Sequence, residues 1–271
     1  MNRIDVKTIR LANGLSLPFA ETGDSAGIPV VFVHAYVESW RYFEIVLQHL
    51  PPALHCHAPT QRGHGEADRP DGYTPDEFAA DVVGFMDAVG LQRAVLVGSS
   101  SGGLVTQLVA SSQPHRVSAL VLLGAPATLA EKPGVLAMSQ EVAKLDDPLD
   151  PTFVEEFVRA TSPASTTDDL IAVLVEESLR APARVWKETL RGLIDADLPV
   201  PLDRITAPTL LIWGDHDAFV RDDQPILLRN LPDARQIVYE GTGHAPHLAE
   251  PGRVAMDIVD FLADVTPSPS G

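Results

Sequence analysis

The feature that most constrains the fold of this chain is a serine enclosed by glycines, between an apolar run and a helix-like stretch. Gly98, Ser100 and Gly102 follow the apolar residues 94–97 and precede apolar residues at helical spacing over 104–110. Two glycines permit a strand-to-helix turn that is too sharp for side chains, and its strained backbone pushes the serine hydroxyl out over the edge of a sheet. The spacing Gly-x-Ser-x-Gly therefore predicts a nucleophile at Ser100.

A serine hydroxyl is a good nucleophile only when a base accepts its proton and a third group orients that base. His244 is the best candidate for the base. It follows the last predicted strand, in a loop at 241–246 whose glycines and proline suit a backbone that aims a side chain. His247 is the main rival, but it lies where the final helix is predicted to start. We interpret His247 as a wall or capping residue.

The acid is expected at the carboxyl end of a core strand, where ligands bind in open parallel sheets. Asp215 and Asp217 both follow the strand predicted at 208–213. Asp217 lies beyond the turn at Gly214, from which a side chain can reach back over the sheet edge, whereas Asp215 is better placed to brace that turn. We therefore predict Asp217 as the acid, which gives the chain order Ser, Asp, His that accompanies such elbows.

Apolar runs alternate with helix-like stretches along most of the chain. Near the start, Asn13 and Gly14 join two short segments and predict a tight type I′ hairpin turn. Thr74, followed by proline and two acidic residues, predicts the start of a helix. Strands are predicted at 29–34, 54–58, 94–97, 119–123, 208–213 and 235–239. Continuous apolar strands that alternate with helices predict a mostly parallel sheet covered on both faces.

The alternation lapses in the middle of the chain, where helix-like segments are separated by prolines and no clear strand occurs. We predict an α/β core at residues 1–125 and 204–265, interrupted by a helical cap insertion at 126–203. The last residues, 266–271, lack an apolar face and are predicted to be a mobile tail.

Composition restricts the class of partner. The 271 residues are 45% hydrophobic, enough for one large domain, and the formal net charge is −17. This charge argues against nucleic acid and anionic membrane surfaces as partners. No apolar run approaches the length needed to span a bilayer, and the amino terminus lacks the apolar region of a signal peptide. We expect a cytoplasmic protein, either a monomer or a homodimer.

The sequence predicts no metal site and no cofactor. Cys56 is the single cysteine, and its place in a short strand predicts a buried core residue. His55 and His57 flank it, but alternate strand residues point to opposite faces. The two histidines could share a metal ion only on the face that excludes Cys56, and no further ligand cluster lies nearby in the sequence.

Taken together, these residues resemble the α/β-hydrolase superfamily, specifically its small cap-bearing serine hydrolases. Besides the elbow, the run at 213–217 resembles the family's acid loop, Gly243-His244 its histidine loop, and 61–65 its arginine-glycine loop. The resemblance implies the α/β-hydrolase fold, a mostly parallel eight-stranded sheet with helices on both faces and an inserted helical cap. It also implies an oxyanion hole made by the backbone N–H groups of Ser101 and Tyr36.

Two positions depart from the family pattern. The family usually has His-Gly after the third strand, whereas this chain has His34-Ala35. If the loop needs a positive φ at that point, Ala35 is strained and the Tyr36 donor is displaced. The arginine-glycine loop usually begins with aspartate, and here Thr60-Gln61 stands instead, which we interpret as a structural variation.

The resemblance implies acyl transfer, with Ser100 attacking a carbonyl carbon while His244 accepts its proton. A serine nucleophile disfavours the reactions of haloalkane dehalogenases and epoxide hydrolases, whose nucleophile is aspartate. We expect hydrolysis of a small neutral, apolar carboxylic ester or lactone. Cleavage of a C–C bond in a diketone-type substrate and a non-catalytic ligand receptor stay open as alternatives. Besides Tyr36, the predicted pocket walls are Trp40, Phe153, Phe157, Trp186 and Leu190.

Overall fold

The strands form where the sequence has its continuous apolar runs. In the computed structural model, which describes residues 3–130 and 132–265, eight strands form one sheet. They are β1 (Asp5–Arg10), β2 (Ser16–Thr22), β3 (Ile28–Val33), β4 (Leu54–Pro59), β5 (Ala94–Ser99), β6 (Val117–Leu123), β7 (Thr209–Gly214) and β8 (Ala234–Tyr239). Their order is β1-β2-β4-β3-β5-β6-β7-β8, with β2 antiparallel to both neighbours and all pairings from β4 to β8 parallel. The predicted sheet is confirmed, whereas the tail predicted at 266–271 lies outside the described residues.

Helices cover both faces of this sheet. They are α1 (Glu44–His49), α2 (Pro75–Ala88), α3 (Ser101–Ser112), α4 (Pro133–Val142), α5 (Pro151–Thr161), α6 (Asp168–Leu179), α7 (Ala183–Asp195), α8 (Gln224–Asn230), α9 (Pro246–Ala249) and α10 (Pro251–Val265). Successive strand residues point to opposite faces, so Phe32 packs with α1 and α10 while Val31 packs with α2 and α3. The predicted fold class, with helices on both faces, is confirmed. No helix in the described ranges is long and apolar enough to cross a bilayer.

Local signals set the start of α2 as the sequence predicts. The Thr74 hydroxyl accepts a hydrogen bond from the Glu77 N–H at 3.3 Å, and the Glu77 carboxylate accepts one from the Thr74 N–H at 2.9 Å. This reciprocal pair satisfies two of the N–H groups that a helix start leaves without partners.

The first hairpin differs from the predicted type I′ turn. That turn needs positive φ at both central residues, but among the described residues of this loop only Gly14 has one, at 91°. The Asn13 side chain instead donates to Asp81 Oδ1 at 2.9 Å and accepts from the Leu15 N–H at 3.1 Å. A tertiary hydrogen bond to α2 therefore fixes a wider loop than the local dipeptide predicts.

The chain between β6 and β7 contains helices α4 to α7 and, in its described part, no strand. Buried residues of these helices, among them Val135, Val154 and Leu190, belong to the same apolar cluster as Val31 and Leu104 of the core. The helical segment therefore packs directly on the carboxyl edge of the sheet rather than forming a separate core. The division of the chain at 126 and 203 stays a prediction.

The turn between β5 and α3 depends on a backbone contact. A side chain at Gly102 would collide with the carbonyl oxygens of Val33 and His34 at the end of β3. At Gly98, a Cβ would lie 2.6 Å from the Gly102 carbonyl oxygen. The two glycines of the motif therefore permit the first turn of α3 to touch the neighbouring strand.

We expect Gly102→Ala to lower the free energy of unfolding by about 1–3 kcal/mol, because the new methyl group forces backbone atoms apart. Gly84→Ala in α2 is the matched control, since its Cβ would make an ordinary contact of 3.7 Å with Leu11. This control should be neutral or stabilising by up to about 1 kcal/mol, as alanine favours a helix interior. Urea unfolding measures both, and equal stability of Gly102→Ala and the parent chain would contradict the proposed contact.

Candidate active site

Three side chains from separate loops meet above the carboxyl edge of the sheet. Ser100 lies between β5 and α3, Asp217 follows β7, and His244 lies between β8 and α9. The Ser100 Oγ is 2.9 Å from His244 Nε2, and His244 Nδ1 is 2.7 Å from Asp217 Oδ2. Because β5, β7 and β8 run in the same direction, their carboxyl ends bring the three loops to one edge.

The backbone of Ser100 is in a conformation that side chains rarely adopt, with φ 46° and ψ −118°. Such a conformation costs on the order of 1–3 kcal/mol and persists only where the surroundings enforce it. Here the Ser100 N–H donates to the Leu123 carbonyl at 2.9 Å, and the Ser100 carbonyl accepts from Gly103 at 2.8 Å. These bonds hold the hydroxyl clear of α3 and within reach of His244.

Asp217 orients the imidazole. Its carboxylate is 3% exposed; Oδ1 accepts the Phe219 N–H at 3.0 Å, which leaves Oδ2 for the Nδ1–H of His244. With the proton on Nδ1, the Nε2 lone pair faces the Ser100 hydroxyl. Asp215 lies elsewhere and accepts the Gly241 N–H at 2.6 Å, which braces the loop before His244.

The loop after β3 is held by a buried neutral histidine. His34 Nε2 accepts the Gln61 N–H at 2.9 Å, and its Nδ1–H donates to the Ala35 carbonyl at 2.8 Å. Burial, and then the neighbouring His64, hold the pKa of His34 well below its usual value, which agrees with this neutral form. Gln61 also donates its side-chain amide to the His34 carbonyl at 2.8 Å. Gln61, at the position where this chain departs from the family pattern, therefore supports the loop through these two hydrogen bonds to His34.

Ala35 does not have a positive φ, so the strain considered from the His34-Ala35 sequence does not arise at this residue. The left-handed residue is Val37, with φ 54°. The Ala35 N–H donates to Glu38 Oε2 at 2.9 Å. The Tyr36 N–H has no hydrogen-bond partner within the described chain, and the Ser101 N–H belongs to the unpaired first turn of α3. Both residues line the cavity that contains Ser100.

A cavity of about 280 Å³ opens over Ser100 and His244. Of the predicted wall residues, Phe157 of α5 and Leu190 of α7 line it, as does Tyr36. The remaining described residues of its wall are Ala35, Glu38, Ser101, Leu129, Gly134, Val135, Met138, Ala160, Thr161, Leu193 and Phe219. The helical segment between β6 and β7 therefore provides much of the wall.

The other three predicted wall residues lie outside this cavity. Trp40 belongs to the buried apolar cluster of Phe32, with the Arg41 guanidinium over its ring. Trp186 is fully buried inside the helical segment, and its ring contacts those of Phe153 and Phe157 at centroid distances of 5.9 and 5.1 Å. Large aromatic side chains at these positions fill the core rather than contact a ligand.

Glu38, which the sequence patterns did not single out, is the one carboxyl group among the described residues of the wall. These residues include no lysine or arginine. Burial raises the pKa of Glu38 to about 8, because loss of solvent disfavours the charged form of a carboxyl group. The carboxyl is therefore mostly protonated at neutral pH. Its place five residues beyond the end of β3, in a loop at the carboxyl edge, was the available signal.

His247, the rival base, is buried in the core and does not line the cavity, contrary to its interpretation as a wall residue. It is 1% exposed, its ring contacts Phe43 at a centroid distance of 5.3 Å, and neither ring nitrogen has a hydrogen-bond partner in the described chain. Burial, with a smaller effect from His244, lowers the pKa of His247 to about 3. Burial also lowers the pKa of His64 to about 4. Both side chains are structural and uncharged at neutral pH.

Comparisons with known proteins agree with this fold. A family model described as alpha/beta hydrolase fold matches residues 28–251. The chain is 27% identical to a non-heme chloroperoxidase of Streptomyces lividans, over 94% of this chain and 99% of that protein. It is 26% identical to a 2-hydroxymuconate semialdehyde hydrolase of a Pseudomonas species, over 94% and 93%. An esterase from Exiguobacterium antarcticum superposes with a TM-score of 0.85 at 22% identity, over 95% and 99%.

We expect the buried histidines to destabilise the fold in acid. Between pH 6.5 and about 4 the unfolded chain binds protons that folded His64 and His247 do not, so the free energy of unfolding falls as the pH falls. Each contributes up to about 1.4 kcal/mol per pH unit. His247→Phe should reduce the slope by that amount in urea unfolding, and should leave it unchanged between pH 7 and 8. An unchanged slope below pH 6.5 would contradict the assignment.

Proposed function

Because the chain belongs to the alpha/beta hydrolase fold family, we propose that it is a serine hydrolase that cleaves a small neutral carboxylic ester or lactone. The observation that carries this proposal is the continuous hydrogen-bonded chain from Ser100 through His244 to Asp217, with distances of 2.9 and 2.7 Å. The strained backbone at Ser100 adds support, since strain of this kind persists where it serves a mechanism.

In this mechanism His244 Nε2 accepts the Ser100 proton as the serine oxygen bonds to the carbonyl carbon. The imidazolium that forms is stabilised by Asp217, which keeps its negative charge. Collapse of the tetrahedral intermediate expels the alcohol oxygen, which takes the proton from His244. Water then attacks the acyl group on Ser100, again with His244 as base, and releases the acid. A lactone follows the same steps, except that the alcohol and acid remain one molecule.

The backbone N–H groups of Tyr36 and Ser101 would bind the oxyanion of each tetrahedral intermediate. Both residues line the cavity beside Ser100. The Tyr36 N–H has no acceptor in the described chain, and the Ser101 N–H lies at the positive end of α3. One such donor is typically worth about 2.7–4 kcal/mol of transition-state stabilisation.

The cavity wall favours an uncharged, largely apolar substrate. Leu129, Val135, Met138, Leu193 and Phe219 supply apolar surface, and the described lining contains no lysine or arginine. The surroundings that keep Glu38 protonated to about pH 8 would equally disfavour a bound carboxylate. The volume of about 280 Å³ suits a small molecule. We propose that helices α4 to α7, within residues 126–203, act as the cap that selects it.

Hydrolysis of a C–C bond is the second candidate, favoured by the similarity to the 2-hydroxymuconate semialdehyde hydrolase. The same three residues could perform it, because attack on a ketone carbonyl also forms an oxyanion beside Ser100. A diketone-type substrate that carries a carboxylate would find no cation in the described wall of this cavity. Hydrolysis of an ester or lactone is therefore the better supported of the two proposed activities.

We expect Asp217→Asn to lower kcat by about 10⁴-fold, because an amide favours the wrong tautomer of His244. Asp215→Asn is the matched control, since Asp215 braces the Gly241 turn and does not contact His244. Its kcat should stay near that of the parent chain. Steady-state kinetics on an aryl ester measure both. A larger loss from Asp215→Asn would overturn the choice of acid.

A substrate panel tests the reaction class. We expect turnover of short-chain aryl esters or lactones in preference to vinylogous diketones, and weaker turnover when a carboxylate is added to the acyl chain. A fluorophosphonate probe should label the parent chain and leave Ser100→Ala unlabelled, which ties the activity to this serine.

Two outcomes would overturn the proposal. Exclusive C–C bond cleavage would move the chain to the second candidate. Absence of both turnover and labelling, in protein that unfolds cooperatively, would indicate a ligand-binding protein that kept the fold.

A further inference from the structure

A second polar cluster lies on the sheet, on strands outside the Ser100 site. Glu21 of β2 and His55 and His57 of β4 each present one carboxylate oxygen or ring nitrogen, and these three atoms all lie within 4.8 Å of one another. His55 Nε2 is 2.8 Å from Glu21 Oε1, and the His55 and His57 rings are 4.2 Å apart between centroids. Ser100, His244 and Asp217 play no part in this cluster.

The sheet ladder itself builds the cluster. Glu21 is the direct cross-strand partner of His57 in the antiparallel pairing of β2 with β4. His55 precedes His57 by two residues, so both side chains project from the same face of β4. Backbone pairing therefore sets the spacing, which is more rigid than a cluster on surface loops.

His57 is the unusual member. It is 2% exposed and packs against Phe19 and Phe85 at ring centroid distances of 6.1 and 6.0 Å. Neither of its ring nitrogens has a hydrogen-bond partner among the described residues. A buried polar group without a partner costs about 1–3 kcal/mol. A metal ion would supply the missing partner.

We propose that Glu21, His55 and His57 bind a divalent transition-metal ion of the zinc type. Two imidazoles and one carboxylate form a donor set that zinc accepts, at metal–ligand distances of about 2.0–2.2 Å. Two ligand atoms on one such ion lie at most about 4.4 Å apart, so small side-chain rotations would bring the three atoms to bonding distance. Three protein ligands leave a fourth position for water or an exogenous ligand.

An open groove beside the cluster gives an ion access. It is lined by Asp5, Lys7 and Glu21, together with His55. Asp5 is the cross-strand partner of Glu21 on β1, and its carboxylate forms an ion pair with Arg3 of the same groove at 2.8 Å. Asp24 is a further acidic residue of the groove. Lys7 opposes binding, because its ammonium group forms an ion pair with Glu21 Oε2. An ion at this site therefore competes with Lys7 for one carboxylate.

Titration of tag-free, EDTA-treated protein with Zn²⁺ and with Co²⁺ tests the proposal. We expect one ion per chain by calorimetry and the visible absorption of Co²⁺ bound to nitrogen and oxygen ligands. His57→Phe keeps a ring between Phe19 and Phe85 and removes the ligand, so the affinity should fall by more than about tenfold. His115→Gln, at an exposed histidine outside the cluster, is the matched control and should leave affinity unchanged.

Lys7→Gln is expected to change the Zn²⁺ affinity in the opposite direction. Removing the ammonium group should tighten Zn²⁺ binding, because Lys7 then no longer competes for the Glu21 carboxylate. Absence of stoichiometric binding, equal affinity in His57→Phe and the parent chain, or weaker binding in Lys7→Gln would each overturn the proposal. Ester turnover by His57→Phe reports on the Ser100 site separately, so failure of one proposal is distinguishable from failure of the other.

Discussion

The contact between the first turn of α3 and the end of β3 is the constraint on which the rest of the site depends. Gly102 lies against the carbonyl oxygens of Val33 and His34, where any side chain would collide. This contact places the Ser100 turn beside the loop that begins at Ala35. Ser100 and Tyr36 consequently line one cavity. The helical segment between β6 and β7 provides much of its remaining wall.

Buried polar groups around this contact are neutral rather than paired as ions. His34 is held between Gln61 and the Ala35 carbonyl, and Glu38 accepts the Ala35 N–H. Burial keeps the first uncharged and raises the pKa of the second. In a buried loop without charged groups, a few backbone dipoles interact strongly with charge that develops nearby. Under the proposed mechanism, His244 transfers the proton and Asp217 orients its imidazole beside this loop.

Sequence patterns predicted the parts of the structure that depend on local spacing. Continuous apolar runs located β3 to β8, and strand ends located Ser100, Asp217 and His244, which the structure brings within hydrogen-bond distance. Sequence patterns failed where contacts between distant chain segments determine the structure. Asn13 donates a hydrogen bond to Asp81, and the predicted type I′ turn does not form. Trp186 packs inside the helical segment instead of lining the cavity. The approach of Glu21 to His57 arises from strand pairing across 36 residues of sequence, which no short window contains.

Tyr36 connects two parts of the molecule that could otherwise change independently. Its backbone belongs to the loop beside Ser100, while its hydroxyl donates to the Trp186 carbonyl of α7 at 2.7 Å. Any substitution that shifts α7 to admit a larger ligand would also pull on the peptide next to the nucleophile. Under the proposed mechanism, selectivity and rate enhancement share one residue, so a change of substrate range during evolution would carry a kinetic penalty until its hydrogen bond to α7 was replaced.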